Sequence, residues 1–201
     1  MIGLVDYGMG NLGSVSKAIR EVGRDVQIID QPGAINETEY LIVPGVGAFD
    51  RAVKNLREQS LWDPVLEHVR TNRPYLGICL GFQLLFEDSE EGERPGFGLY
   101  EGTVRKFQNV KPVPHMGWND VDWAGPGSEF DPGENRPACY YFVHSYFVEP
   151  VNNDITAGVT EYGSDFCASI RDRNCVGVQF HPEKSQQAGL AFLRDVFQIW
   201  E

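Results

Sequence analysis

Tyr75-Leu76-Gly77-Ile78-Cys79-Leu80-Gly81 reads as a buried strand over 75–78 that runs into a glycine-flanked cysteine, with a helix starting near Leu80. Glycines at 77 and 81 let the chain turn tightly enough between strand and helix to expose the sulfur. That is the context of a nucleophile elbow with cysteine in place of serine. Peptide dipoles at the helix start favour a thiolate, and the Leu80 amide is free to donate to an oxyanion. A small core cysteine ahead of a helix is the plainer reading of the same string, so the elbow needs a base from elsewhere in the chain.

Outward from this point the first half alternates strand and helix. An apolar run over residues 1–6 ends in Tyr7-Gly8-Met9-Gly10-Asn11, after which Leu12, Val15, Ala18, Ile19 and Val22 recur at helical spacing and stop at Gly23. Strands are predicted over 25–30 and 40–43, both apolar enough to be buried on two faces. Helices are predicted over 49–58 and 61–71. Parallel strands need crossovers, so this half is a parallel sheet covered by helices. After Gly102 the pattern shortens to strands over 103–107, 119–123 and 139–148 and a hairpin of 166–170 with 176–180. A helix over 187–200 closes the chain with Leu190, Leu193, Val196, Phe197 and Trp200 on one face. The fold class is therefore α/β, with a mostly parallel central sheet flanked by helices and additional antiparallel strands in the second half. Residues 124–137, dense in Gly, Pro and acidic side chains, read as a surface excursion within a single domain spanning 1–201.

With 17 basic and 29 acidic residues among 201, the net charge is −12, which disfavours nucleic acid and anionic membranes as partners. The acidic run over 87–93 reads as a solvated loop with no catalytic role. No window reaches the roughly 18 apolar residues of a spanning helix and no signal-peptide pattern opens the chain, so a cytoplasmic location is expected. Cys79, Cys139, Cys167 and Cys175 form no C-x-x-C pair and fit neither a zinc site nor a disulfide scaffold. No metal or organic cofactor is expected.

The better candidate for the base is His181, in Val178-Gln179-Phe180-His181-Pro182-Glu183-Lys184 directly after an apolar strand; His68 lies in a helix on what reads as its solvent face. Residues i and i+2 of an extended segment share a side, so Glu183 stands next to His181 with Pro182 stiffening the link. Taken alone, His-Pro-Glu is a turn. Joined to the elbow, Cys79, His181 and Glu183 form a nucleophile, base and orienter. The loop Pro44-Gly45-Val46-Gly47-Ala48-Phe49 follows the 40–43 strand at the same carboxyl edge. It is either a strand-to-helix turn or a second oxyanion donor from the amide of Val46 or Gly47, with Gly45 allowing close approach of substrate. His115, without triad-like neighbours, reads as a structural histidine.

These strings together resemble a class I glutamine amidotransferase of flavodoxin-like fold, over nearly the whole chain. Residues 6–12, 114–119, 141–146 and 179–185 resemble the glutaminase subunits of imidazole glycerol phosphate synthases in particular. The resemblance implies that Cys79 attacks the carboxamide of glutamine, giving a glutamyl thioester, ammonia and, after hydrolysis, glutamate. It implies that Gln83 holds glutamine from the helix turn after Cys79 and that His144, Ser145 and Tyr146 contact its amino-acid end. It also implies a heterodimer with a cyclase subunit of β/α-barrel fold, bordered by Asn11, Tyr141 and Lys184, that consumes the ammonia. Tyr141 and its neighbours also fit a strand packing aromatics into a core. Other readings are a stand-alone thiol hydrolase, an inactive assembly subunit, or a glutaminase serving a sugar-modifying synthetase.

Overall fold

The computed structural model describes residues 1–201 apart from 109 and 134–138. In chain order the elements are β1 (Ile2–Val5), α1 (Leu12–Glu21), β2 (Val26–Ile29), α2 (Pro32–Asn36), β3 (Tyr40–Val43), α3 (Phe49–Glu58), α4 (Trp62–Arg70), β4 (Tyr75–Ile78) and the single turn α5 (Leu80–Gln83). They continue with β5 (Phe86–Ser89), β6 (Tyr100–Lys106), β7 (His115–Asp120), β8 (Asp122–Trp123), β9 (Cys139–His144), β10 (Tyr146–Pro150), β11 (Thr156–Glu161), β12 (Asp165–Asp172), β13 (Cys175–Val178) and α6 (Gln186–Ile199).

Among the described residues the main sheet runs β2-β1-β3-β4-β13-β12-β10-β6-β5, with β11 and β8 branching from β12. Its first five strands are parallel; β13, β12 and β10 then pair antiparallel in turn. The mixed second half thus follows the sequence reading. Side chains alternate across the pleat, so Leu41, Val43 and Tyr75 face one core with α3 and α4, while Ile42, Leu76 and Ile78 face the other with α1 and α6. Burial on both faces is what makes β3 and β4 almost wholly apolar.

Several expectations are corrected. Strand β2 is an edge strand with Ile28 49% exposed, because only β1 pairs with it and no layer covers its outer residues. The apolar run over 139–148 breaks at Ser145: β9 joins β7 in a separate two-stranded ribbon, whereas β10 enters the main sheet. The 119–123 strand is likewise two pieces, β7 beginning at His115 and β8 pairing with β11. Part of the acidic run is strand β5, paired with β6. The Gly/Pro-rich excursion is partly core: a 3-10 turn over Gly125–Phe130 buries Phe130, and Gly127 packs on the Ala157 backbone; the remainder of that prediction, from 134, lies outside the described residues. His68 is buried, not solvent-facing, and its Nε2 meets the Pro74 carbonyl at 2.9 Å. It falls at i+3 from Val65 and beside Val69, on the face of α4 that packs inward.

Candidate active site

Strands β3, β4 and β13 are neighbours and parallel, so their carboxyl ends deliver the 44–48 loop, Cys79 and His181 to one edge. The Cys79 amide donates to the Val178 carbonyl at 2.7 Å, tying the elbow to the end of β13. Cys79 itself has φ 52° and ψ −102°, a strained conformation for a residue with a Cβ. The turn is permitted by Gly81, where any Cβ would overlap the Val43 carbonyl, and by Gly77, which packs on the Gly81 backbone. The helix behind the sulfur is a single turn, Leu80–Gln83, so its dipole is short and the expected support from it is small.

His181 and Glu183 are buried side by side, with Nδ1 2.8 Å from Glu183 Oε1. The segment is clamped from β9: the His181 amide donates to the Tyr141 carbonyl at 2.9 Å, and the Tyr141 amide donates to Ser185 Oγ at 2.9 Å. Ser185 Oγ in turn donates to the His181 carbonyl at 2.6 Å. His181 Nε2 has no hydrogen-bond partner of normal geometry, yet Cys79 is near enough to act on the ring by charge. Burial works against a charged imidazole, but Cys79 and then Glu183 override it and raise the pKa to about 10. The imidazolium is therefore the favoured form of His181, with Glu183 at its Nδ1.

Cys79 opens into a cavity of about 570 Å³ whose wall includes Val46, Gly47, Leu80, Gln83, Tyr146 and Lys184. His144 and Ser145 also line it. Both ring nitrogens of His144 are engaged, Nδ1 with the Tyr146 carbonyl at 2.8 Å and Nε2 with His115 Nδ1 at 3.1 Å, so neither is left for a ligand. Gly45 is wedged between the Tyr7 hydroxyl and Leu80, and its carbonyl takes the Leu80 amide at 3.4 Å. The Leu80 donor is therefore occupied in this geometry, contrary to the expectation that it is free. The Tyr7 hydroxyl holds the loop by donating to the Pro44 carbonyl at 2.8 Å.

Two residues that sequence reasoning passed over belong here. Glu91, within the run read as a solvated loop, lines the cavity, and its Oε2 accepts from the Phe49 amide at 2.9 Å. Burial lifts its pKa; the Phe49 hydrogen bond opposes that and Asp50 adds to it. Only the packing of the turn after β5 against the start of α3 brings it in, and nothing in the local string signals it. Gln179 is fully buried and donates from Nε2 to Cys79 Sγ at 3.4 Å; its position two residues before His181 on the same extended segment was a usable signal. Of the residues expected at a partner's border, Asn11 caps α1, accepting from the Ser14 amide at 3.2 Å. Lys184 Nζ lies 5.8 Å from the Tyr141 ring centre.

The profile of the class-I glutamine amidotransferases matches residues 3–199. The chain belongs to that family. Among its relatives, the imidazole glycerol phosphate synthase subunit HisH of Syntrophotalea carbinolica is 43% identical, covering 97% of this chain and 98% of that one. The subunit of the same name from Moorella thermoacetica is 46% identical over 98% of this chain and 94% of its own. A glutamine amidotransferase crystal structure superposes on this amidotransferase with TM-score 0.76 at 18% identity, covering 99% and 98% of the two chains. PurLQS from Thermotoga maritima does so with TM-score 0.72 at 17% identity, covering 99% and 96%. At those identities the structural likeness speaks for the fold, and the predicted α/β amidotransferase architecture stands.

Proposed function

We propose that this amidotransferase is the glutaminase subunit of an imidazole glycerol phosphate synthase, releasing ammonia from glutamine for a cyclase subunit. The observation that carries the reading is the buried His181–Glu183 pair beside the Cys79 elbow, at the wall of a cavity of suitable size for glutamine. We read residues 1–201 as one unit, supported by a main sheet with strands from both halves of the chain.

The chemistry follows from the placement of His181 between Cys79 and Glu183. Cys79 thiolate attacks the carboxamide carbon, and the oxyanion is received by the Leu80 amide and a second backbone amide at Val46 or Gly47. His181 gives its proton to the departing nitrogen, so ammonia leaves and a glutamyl thioester remains. The neutral imidazole, with Nδ1–H held by Glu183, then takes a proton from water as the water attacks the thioester. Collapse expels the thiolate and leaves glutamate, restoring the starting state. Gln83 presents its carbonyl oxygen to the cavity side, since its Nε2 is committed to the Tyr146 carbonyl and Gln179 Oε1 at 3.0 Å each. Glu91 suits the α-ammonium of glutamine, one oxygen being held by Phe49. Ser145 and Tyr146 line the amino-acid end, while His144 acts through Tyr146.

The sequence carries no Walker-type phosphate loop, and the cavity mouth supports a partner. Val46 and Met116, 40% and 60% exposed, and Trp118, 47% exposed, present apolar surface around it, beside Tyr141 and Lys184. A barrel-shaped cyclase seated there would receive ammonia before water protonates it, with Asn11, Tyr141 and Lys184 at its border.

Because the Gly45 carbonyl occupies the Leu80 amide, turnover of the isolated chain is expected to be low and to rise when the liganded cyclase reorients residues 45–47. The test is glutamate release from glutamine with and without the cyclase and its ribonucleotide ligand, with Cys79→Ala as control. Cys79-dependent turnover that rises at least tenfold with the liganded cyclase supports the reading. Equal turnover in both cases points to another acceptor pathway or a stand-alone thiol hydrolase.

A further inference from the structure

Two runs of hydrogen bonds meet at the Tyr146 carbonyl, one coming from the surface of β7 and the other leading to the nucleophile. Asn119 Nδ2 donates to the Glu161 carbonyl at 2.9 Å and lies 3.3 Å from His115 Nε2. His115 Nδ1 is 3.1 Å from His144 Nε2, and His144 Nδ1 is 2.8 Å from the Tyr146 carbonyl. The same carbonyl takes Gln83 Nε2 at 3.0 Å, Gln83 Nε2 also reaches Gln179 Oε1 at 3.0 Å, and Gln179 Nε2 ends on Cys79 Sγ at 3.4 Å.

The direction of every link is forced. A carbonyl oxygen only accepts, so His144 carries its proton on Nδ1 and its Nε2 accepts from His115 Nδ1–H. His115 Nε2 is then an acceptor, matched by the Asn119 amide. The Tyr146 carbonyl likewise compels Gln83 to turn its NH₂ end inward, which selects the oxygen of Gln179 as acceptor and leaves the Gln179 NH₂ facing sulfur. The run from β7 requires both rings to be neutral, and burial holds His115 at about 4 and His144 at about 3; the Gln83–Gln179 run is set by the Tyr146 carbonyl itself. A donor aimed at sulfur favours the thiolate over the thiol.

We propose that Gln179 is a further catalytic residue, its amide N–H stabilising the Cys79 thiolate, and that Gln83, held by the Tyr146 carbonyl, is the positioning residue that fixes which way that amide points. The inference rests on Cys79 being the nucleophile. Other titratable groups around Cys79 are His181 backed by Glu183 after β13, Tyr7 after β1, and Glu91 and Lys184 on the cavity wall. None of them is altered in the variants that follow.

The experiment is the pH profile of Cys79 alkylation by iodoacetamide, followed on the full-length chain by peptide mass spectrometry. Gln179→Leu is expected to move the midpoint up by about one pH unit, slowing alkylation about tenfold at pH values below it. Gln179→Glu should move it further, because a carboxylate repels the thiolate. Gln83→Met should give a smaller upward shift, since it frees the Gln179 amide to flip, and it decides the matter if the Gln179 variants do not fold. Profiles of Gln179→Leu and Gln83→Met that superpose on the parent overturn the proposal, as do equal shifts in Gln179→Leu and Gln179→Glu. The readout uses no glutamine, so a parent chain that alkylates as described but releases no glutamate even with the liganded cyclase present would sink the glutaminase reading and leave this one standing.

Discussion

Cys79 is held at positive φ, which costs a non-glycine residue on the order of 1–3 kcal/mol. The cost is offset by what surrounds it: the Val178 carbonyl on its amide, Gln179 on its sulfur and His181 beside it. Strain of this kind persists only where neighbours over-determine the geometry, which is the case here. Glu91 illustrates the other residue-scale lesson, a carboxylate of an acidic surface run that ends up in a binding wall. Glu91→Gln keeps an acceptor for the Phe49 amide but removes the charge offered to an α-ammonium. Losing a charge-assisted hydrogen bond of about 1.5–3 kcal/mol should raise KM for glutamine roughly 10–100-fold, with kcat changing far less. Steady-state glutamate release measures it, and an unchanged KM would remove Glu91 from the site.

At the scale of elements, the elbow works because strand β4, turn α5 and strand β3 approach more closely than side chains allow. Gly81 sits on the Val43 carbonyl and Gly177 under the Phe82 ring, so both positions exclude a Cβ. Gly81→Ala must push α5 away from β3, a steric conflict worth about 1–3 kcal/mol or more. The melting temperature should fall by about 2–4 °C per kcal/mol for a chain of this length. Differential scanning calorimetry tests this, and a melting temperature within 1 °C of the parent, on that roughly 2–4 °C scale, would show that the elbow has slack. The break at Ser145 matters as much. By sending β9 to the ribbon and β10 to the main sheet, it places the Tyr146 carbonyl where both His144 and Gln83 reach it.

For the whole molecule, three buried histidines make folding sensitive to acid. His68 is lowered to about 4, His115 to about 4 and His144 to about 3, in each case first by burial. Their folded values lie below the free value of 6.5, so the unfolded chain takes up protons first as the pH falls. Their contribution is intact above about pH 6.5 and is lost progressively toward about pH 4, at up to roughly 1.4 kcal/mol per pH unit for each histidine. Urea midpoints measured at intervals from pH 7.5 to 4 should therefore decline steeply below 6.5. A flat series over that window would mean that these rings protonate in the folded state. The chain's charge of −12 adds a background that shrinks as carboxylates protonate, so it does not account for a decline that begins near 6.5.

Sequence alone determined the alternation of parallel strands and helices in the first half, the elbow at Cys79 and the His181-Pro182-Glu183 pairing. Hydrophobic period, glycine placement and i, i+2 spacing are local properties, and each is fixed within a few residues. It misread the edge strand β2, the burial of His68, the surface run containing Glu91 and the excursion that buries Phe130, since burial depends on what lies across the sheet. Tertiary structure alone decided that the Gly45 carbonyl occupies the Leu80 amide, and that Gln83 and Gln179 line up on one sulfur. Those contacts join residues up to 100 positions apart, as between Gln179 and Cys79. No local pattern encodes them, because they arise when separate strands are brought into register.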